Sequence, residues 1–453
     1  MHKSFTARAD APVQVWLYTS QAFKALKVDP FPKARALAEA QDFTGAAGQV
    51  LLAHGEDGAL ANVLFGLGKG DDALAVAALS AKLPAGAYKV VEEGGLSPAS
   101  VAAGWADGAY RFDRYLKDKA KPPKLVIPGG KAGEALSREA DAIALLRDLV
   151  NTPAGDLTPA AVHAVISDLA EEFGATVSVV VGDDLIDQNY PMIHAVGRAA
   201  KAKPRFVELE WGNPKHPKLA LVGKGVTFDS GGLDIKPSSG MRIMKKDMGG
   251  SAHVIALSRL VMASGLPVHL KLYVPTVENA ISGDSFRPGD ILSSRKGLTV
   301  EIDNTDAEGR LILADALARA CEFEPDLLLD FATLTGAARV ALGADLAPVY
   351  SDDEQLAADV LAGAAASGDP VWRMPLWDPY LSELKSPIAD LVNSGSAFAG
   401  SITAAVFLKQ FVDAKSWAHF DVWAWRKGKY GRPEGAAACG LRAVWHMLQA
   451  RYG

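Results

Sequence analysis

The sequence predicts an α/β protein of two domains: a small N-terminal α/β domain, and a larger C-terminal α/β domain with a mostly parallel or mixed sheet flanked by helices. Three observations carry that prediction. Strand-like and helix-like segments alternate from residue 151 to the end, the pattern of a sheet assembled from strand–helix units. The first 120 residues differ in texture, with short apolar strand segments set between alanine-rich stretches. The length, 453 residues of which 49% are hydrophobic and 22% charged, suits two or three domains with ample core.

Within 1–120, the strand candidates are 13–18, 49–52 and 88–91, and the alanine-rich 71–82 reads as a helix. Gly66-Leu-Gly68-Lys-Gly70 lacks Rossmann spacing and reads as a turn. Residues 117–124 (KDKAKPPK) are charged and carry prolines, which fits a linker leading into a strand at 125–127. A helix over 133–150 stops at Asn151-Thr152-Pro153, because proline disfavours the helical conformation of the residue before it. The division expected is therefore 1–120 as the first domain, 121–150 as a connecting strand and helix, and 151–453 as the larger domain. In that domain the strand candidates are 177–181, 205–210, 218–222, 268–274, 298–302, 326–330 and 417–422. The helix candidates are 158–172, 250–264, 310–323 and 353–367. Ligands of such sheets bind beyond the carboxyl ends of strands, so a site is sought there.

Composition excludes several classes of function. Lys plus Arg is 47 and Asp plus Glu is 53, a net charge of −6, which gives no electrostatic reason to expect nucleic acid or an anionic membrane as a partner. Two cysteines, Cys321 and Cys439, make neither a disulfide framework nor a cysteine zinc site, and suit a reducing compartment. The opening residues lack the apolar core of a signal peptide, and no apolar run reaches the ~20 residues of a membrane helix. The expectation is a cytoplasmic protein. There is no H-E-x-x-H, no P-loop and no G-x-S-x-G elbow. His194, His253, His269 and His419 each lie in or beside an apolar segment without ligand spacing, and read as satisfied structural histidines.

Two segments stand out, each just past a strand candidate. The first runs from Val222 through Lys224, Asp229 and Lys236 to Asp247 and Gly250; the second is Val300-Glu-Ile-Asp-Asn-Thr-Asp-Ala-Glu-Gly-Arg-Leu311. Together they offer Asp229, Asp247, Asp306 and Glu308 as oxygen donors, with Lys224, Lys236 and Arg310 nearby. Four carboxylates in one cavity would repel and raise one another's pKa, and two divalent cations would neutralise them. A pair of ions ~3.5–4 Å apart can hold a bridging water, lower its pKa and polarise a carbonyl. Carboxylates suit Mn²⁺ and Mg²⁺, and Zn²⁺ also accepts them. The plainer reading is that such acids are solvated turn and cap residues and the lysines ordinary surface lysines. Against it, Gly223, Gly225, Gly231 and Gly232 leave a slender backbone open to close approach by a ligand.

Asn304-Thr-Asp-Ala-Glu-Gly-Arg-Leu311 resembles, without a break, the signature octapeptide of the leucyl aminopeptidase family of dinuclear metallo-exopeptidases. Gly223-Lys224-Gly225, Phe228-Asp-Ser-Gly-Gly232, Lys236 and Asp247-Met-Gly-Gly250 resemble the family's other metal-site motif. Further likenesses are 149–154, Ile193-His-Ala-Val-Gly-Arg198, Pro288-Gly-Asp290, Ala332-Thr-Leu-Thr-Gly-Ala337 and His419 with Asp421. The resemblance extends from about 149 to the end and is faint in the first 120 residues. It implies Lys224, Asp229, Asp247, Asp306 and Glu308 as metal ligands, with Asp229 and Glu308 bridging two ions (Mn²⁺ or Zn²⁺, with Mg²⁺ a further candidate). It implies Lys236 and Arg310 as the catalytic pair, Lys236 stabilising the oxygen of the tetrahedral intermediate and Arg310 holding a bicarbonate that serves as general base. Lys224 would have to be neutral to ligate. Met244 and Thr333, Leu334, Thr335 and Gly336 fall where the family lines its pocket for the N-terminal side chain. The implied reaction is removal of an N-terminal residue from a peptide, by a homohexamer.

The chain departs from the family where a His-Leu-Asp-x-Ala-Gly-Thr-Ala-Trp stretch is usual. His419-Phe-Asp-Val-Trp-Ala-Trp425 is shorter and bulkier there, which alters part of the specificity pocket. The alternative function is a non-catalytic scaffold or DNA-binding regulator on the same fold. The intact set of Lys236 and Arg310 argues against the scaffold, and the net charge of −6 argues against DNA.

Overall fold

The computed structural model describes residues 1–119, 121–428 and 432–453; position 120 of the 117–124 linker lies outside them. The chain separates into two compact units. One comprises Met1–Ala144 with Arg426–Gly435, and the other Leu145–Trp425 with Ala436–Gly453. The division falls within a single helix, Gly130–Asn151.

The first unit holds a six-stranded sheet. Its strands are β1 (Phe5–Thr6), β2 (Val13–Thr19), β3 (Val50–His54), β4 (Leu60–Gly68), β5 (Ala87–Glu92) and β6 (Lys124–Val126), in the order β1-β6-β5-β2-β4-β3. Only the β3–β4 pair is antiparallel. Val15, Leu17, Val63 and Phe65 of the central strands are fully buried, packing with Trp105 of the helix Pro98–Ala109.

Two expectations are corrected here. Gly66 and Gly68 are not turn residues but the end of β4, paired with β2; only Gly70 lies beyond the strand. Gly66 is glycine because a Cβ there would stand 2.1 Å from the Ala46 carbonyl oxygen of a crossing loop. The 71–82 helix is reduced to Ala77–Ser80, preceded by tight turns (Ala75 N–H to Asp72 O, Ala78 N–H to Ala75 O). The neighbouring helix crowds this segment, since a Cβ at Gly108 would meet the Ala77 carbonyl at 2.0 Å. Tertiary packing thus overrides alanine's helix propensity.

The second unit contains β7 (Thr176–Val181), β8 (Arg205–Gly212), β9 (Lys218–Gly223), β10 (Gly225–Asp229), β11 (His269–Asn279), β12 (Ile291–Ser293), β13 (Thr299–Glu301), β14 (Leu327–Ala332), β15 (Ala347–Tyr350), β16 (Val371–Arg373), β17 (Leu391–Val392) and β18 (Trp417–Asp421). Nine of them form a mixed sheet, β16-β15-β18-β14-β9-β11-β8-β7, with β10 also paired to β11. Its centre, β18-β14-β9-β11, is parallel, and antiparallel pairs flank it on both sides. The predicted fold class stands. The central strands read as continuous apolar runs because both faces are covered: Leu219–Val222 and Leu327–Leu329 are fully buried. β12, β13 and β17 make a separate three-stranded sheet. Among the described residues, no helix is long and apolar enough to cross a membrane.

Gly223 and Gly225 turn out to serve packing inside the protein. A Cβ on Gly223 would strike Ser251 Cα at 2.7 Å, and one on Gly225 would strike the Pro275 carbonyl oxygen at 2.5 Å. The helix Gly249–Ser264 can lie against the sheet because Gly250 has no side chain to meet the Phe331 carbonyl. Gly231 (φ +90°) turns the chain where an L side chain is strained, and a Cβ there would stand 3.2 Å from Asp306 Oδ1.

Candidate metal centre

The carboxyl ends of the parallel strands converge. β9 delivers Lys224, β10 ends on Asp229, β11 ends on Asn279, β14 leads into Thr333, and β18 ends on Asp421. This is where a parallel sheet opens a crevice. Two more elements complete the site: the 3-10 turn Met244–Met248, which carries Asp247, and the loop from Asp303 into the helix Gly309–Cys321.

One carboxylate oxygen from each of Asp229, Asp306 and Glu308 lies within 4.8 Å of the others. Asp229, Asp247 and Glu308 are buried, and Asp306 is half-buried. Lys224 Nζ stands 2.7 Å from Asp247 Oδ2, 2.9 Å from Glu308 Oε1 and 3.0 Å from the Thr333 carbonyl, so its three N–H donors meet three acceptors. Lys236 Nζ lies 2.8 Å from Asp229 Oδ2 and also pairs with Asp306. All four acids and both lysines singled out in the sequence meet in one place.

The titration of these groups shows the crowding. Burial, together with Asp229, pushes the Glu308 carboxyl up to about 8 and Asp306 up to about 6. Burial would also raise Asp247, but Lys224, Lys246 and Lys236 outweigh it and hold it below the usual range. Burial would lower Lys224, yet Asp247, Glu308 and Asp229 hold it well above an ordinary lysine. The neutral Lys224 that ligation requires is thus opposed by these acids alone. Divalent cations in the same space would reverse the sign, favouring release of these protons.

The donor set fits such ions. Glu308 Oε2 is buried and accepts no hydrogen bond among the described residues, an orphaned oxygen that a cation would satisfy. The acids also receive support from neutral groups. Gly231 N–H and Asn279 Nδ2 each donate to Asp229 Oδ1 at 2.9 Å, and Thr333 Oγ1 donates to Asp247 Oδ1 at 2.9 Å.

Arg310 begins the helix behind Glu308. Nη1 donates to the Asn393 carbonyl at 2.7 Å, the guanidinium lies 5.9 Å from the Phe407 ring, and the buried Nε has no hydrogen-bond partner among the described residues. Burial lowers its pKa to about 10, which leaves it cationic at neutral pH.

The expected pocket residues divide. Met244 is buried on the 3-10 turn. The Thr333 hydroxyl is committed to Asp247, and that of Thr335 to Asp421 and to capping the helix Gly336–Leu342. Leu334 N–H donates to Asp421, and of the set only Gly336 is exposed. In the divergent 419–425 stretch, Trp423 packs with two cations, Lys246 Nζ 3.9 Å and Arg339 Cζ 4.2 Å from its ring centre. Ala424 takes a left-handed φ of +55° and occupies space that a Cβ on Gly249 would need.

Each of the four histidines singled out in the sequence has a hydrogen-bonding partner outside the acid cluster. His419 pairs with Asp330 at 2.5 Å, His253 bonds the Gly249 carbonyl and Cys439 N–H, His269 pairs with Glu210 and His194 with Asp183.

Asn279, Thr305, Asn393 and Asp421 were not foreseen. Asn393 Oδ1 accepts from Asp303 and Asn304 N–H and so holds the loop that carries Asp306. A signal existed for Thr305, which lies inside the octapeptide, and for Asp421, which shares the likeness at His419; none marked Asn279 or Asn393.

The catalytic-domain model of the cytosol aminopeptidase family matches residues 144–445, and that of the M17 aminopeptidase N-terminal domain matches 13–128. The chain belongs to the cytosol aminopeptidase family. It is an enzyme, a peptide hydrolase, and the resemblance of the octapeptide to leucyl aminopeptidases is borne out. A relative from Geobacter sp. (strain M21), named "Probable cytosol aminopeptidase", is 38% identical over 448 residues, covering 92% of this chain and 91% of its own. Among solved structures, the cytosol aminopeptidase from Coxiella burnetii superposes with a TM-score of 0.92 at 40% identity, covering 98% of both chains. The bottromycin maturation enzyme BotP in complex with Mn gives 0.87 at 35%, covering 98% of this chain and 100% of its own. Family membership supports metal dependence.

Proposed function

We propose that this enzyme is a dinuclear metal-dependent aminopeptidase, in which Lys224, Asp229, Asp247, Asp306 and Glu308 hold two divalent cations. The observation that carries the reading is the convergence of the Asp229, Asp306 and Glu308 oxygens within 4.8 Å around a buried oxygen that accepts no hydrogen bond among the described residues. Mn²⁺ is the first candidate, supported by the Mn complex of the BotP relative; Zn²⁺ and Mg²⁺ follow. When bound, such cations supply Lewis acidity to a peptide carbonyl and bring the pKa of water into the working range.

The chain's own residues supply the rest. Lys236, its ammonium at the mouth of the acid cluster, donates to the carbonyl oxygen of the scissile bond as negative charge grows there. Arg310 Nε has no partner among the described residues and so has a donor to offer an anion. Bicarbonate on Arg310 fits the role of general base, because each carboxylate of the site is engaged as a ligand. Trp423, packed with Lys246 and Arg339, supports an N-terminal side-chain preference that departs from leucine, with Met244 and 333–336 forming the remaining wall. The same reading makes the protein a cytoplasmic homohexamer acting on peptides, with residues 151–453 as the catalytic domain, 121–150 as the connection and 1–120 as a separate domain.

The test is release of N-terminal residues from a peptide panel by metal-stripped protein with Mn²⁺, Zn²⁺ or Mg²⁺ restored. Release that disappears in Asp306→Ala and Glu308→Ala is expected. No release with any metal would remove the aminopeptidase reading, and undiminished release by both variants would remove the metal centre. Bicarbonate depletion should slow the wild type and leave Arg310→Ala unaffected.

A further inference from the structure

We propose that Asn279 is a positioning residue of this centre, one that fixes which oxygen of Asp229 faces the cations; the inference rests on the metal-centre reading above. Asn279 is the last residue of β11 and sits in register beside Asp229, the last residue of β10. It is 1% exposed, and its amide Nδ2 donates to Asp229 Oδ1 at 2.9 Å and to the Thr305 carbonyl at 3.1 Å. Its Oδ1 is buried and accepts no hydrogen bond among the described residues. The orientation of the amide is therefore dictated: a flip would set its oxygen against two other oxygens.

Gly231 N–H supplies a second donor to the same Asp229 Oδ1. With two N–H groups on Oδ1, the carboxylate is held with Oδ2 toward the cluster, 2.8 Å from Lys236 Nζ. The Asn279 backbone also takes part, its carbonyl accepting from Ser230 N–H at 3.1 Å and Ser230 Oγ at 2.7 Å. On the other side, the Thr305 that accepts from Asn279 bonds the Gly231 carbonyl through Oγ1 at 2.7 Å, and Asp234 N–H donates to that hydroxyl at 2.9 Å.

Asn279 thus lies between the loop that follows Asp229 and the loop that carries Asp306 and Glu308, and joins them through one amide group. The side chain makes no ion pair and touches no cation-facing oxygen, so it acts through Asp229. Outer groups of this kind commonly change metal affinity 10–100-fold when removed.

The experiment measures Mn²⁺ binding by calorimetry on the stripped full-length protein, together with kcat and KM for peptide cleavage at saturating Mn²⁺. Wild type is compared with Asn279→Asp, which keeps the shape but replaces the donor with an acceptor, and with Asn279→Ala. The expected result is native circular dichroism in both variants, Mn²⁺ affinity lowered 10–100-fold, and kcat lowered with KM within twofold of wild type. Native variants that bind Mn²⁺ like wild type overturn the inference alone. Loss of the fold in both variants also overturns it, because Asn279 would then be holding the domain rather than its ligands. Wild type that binds no Mn²⁺ brings down this inference and the metal-centre reading together.

Discussion

Gly309→Ala is the most discriminating perturbation of the centre, because it adds one methyl group and removes no functional atom. Gly309 opens the helix that follows Glu308, in a conformation any residue adopts, so alanine adds no backbone strain and its helix propensity is better by up to ~1 kcal/mol. The added Cβ would lie 2.6 Å from Lys224 Cε and 2.7 Å from its Cδ and Nζ. Ordinary contact needs roughly 3.5 Å, so the end of Lys224 must withdraw by about 1 Å. The lysine is flexible there, and the ~1–3 kcal/mol of a fresh overpacking is largely relieved by that retreat. The retreat carries Nζ off Asp247 and Glu308 and out of the position from which it would ligate. A displacement of ~1 Å at a reacting centre costs about 100-fold, or ~2.7 kcal/mol of transition-state stabilisation. The measurements are kcat/KM on an N-terminal aminoacyl substrate and the melting temperature of the stripped protein. The expected result is a loss of about 100-fold in kcat/KM with a melting temperature within a few degrees of wild type. A kcat/KM within threefold of wild type, with melting unchanged, would refute the role given to Lys224.

Three further outcomes are expected. Mn²⁺ affinity should strengthen as pH rises from about 6 to about 8, because cations must displace protons that burial keeps on Asp306 and Glu308 up to those values; calorimetry in buffers of different ionisation heat should show proton release, and a Kd flat across that window would contradict the site. Asp330→Ala should cost about 3–5 kcal/mol in urea unfolding, since it strands the buried His419 and the Trp417 indole N–H that Asp330 accepts at 2.7 Å; a loss under ~1 kcal/mol would show the pair to be incidental. Gly66→Ala should destabilise the first unit by at least ~1–3 kcal/mol, because the methyl has only 2.1 Å to the Ala46 carbonyl, and an unchanged melting curve would show that the loop can yield.

The residues legible in the sequence were those whose chemistry is hard to use for anything else. Asp229, Asp306, Glu308, Lys224 and Lys236 are acids and bases set close to apolar strand ends, and the octapeptide from Asn304 to Leu311 has few other uses. The glycines misled, because their spacing shows that space is scarce without showing what fills it. At Gly66 and Gly225 the occupant is the protein's own backbone, and at Gly223 it is the Val254 side chain with the Ser251 backbone. The alanine-rich 71–82 misled for the related reason that local propensity cannot register a neighbouring helix pressed against Ala77.

Asn279 shows why the supporting layer stayed hidden. The strand candidate read from the sequence ends at 274, and a proline inside a central strand would remove a ladder donor. In the structure, β11 runs straight through Pro275 to Asn279. Its parallel partner changes at that point: β9 pairs with it as far as Tyr273 opposite Val222, and β10 takes over at Thr276 opposite Gly225. Pro275 therefore falls in the gap between two partners, where the parallel ladder needs no N–H from it. The break at Lys224 that separates β9 from β10 is the same break that turns the Lys224 side chain toward Asp247 and Glu308. One interruption thus delivers a lysine to the centre, tolerates a proline in the adjoining strand, and carries that strand five residues further to set Asn279 beside Asp229. None of the three positions reveals this alone, because the link between them is a pairing across more than fifty residues of chain rather than a motif.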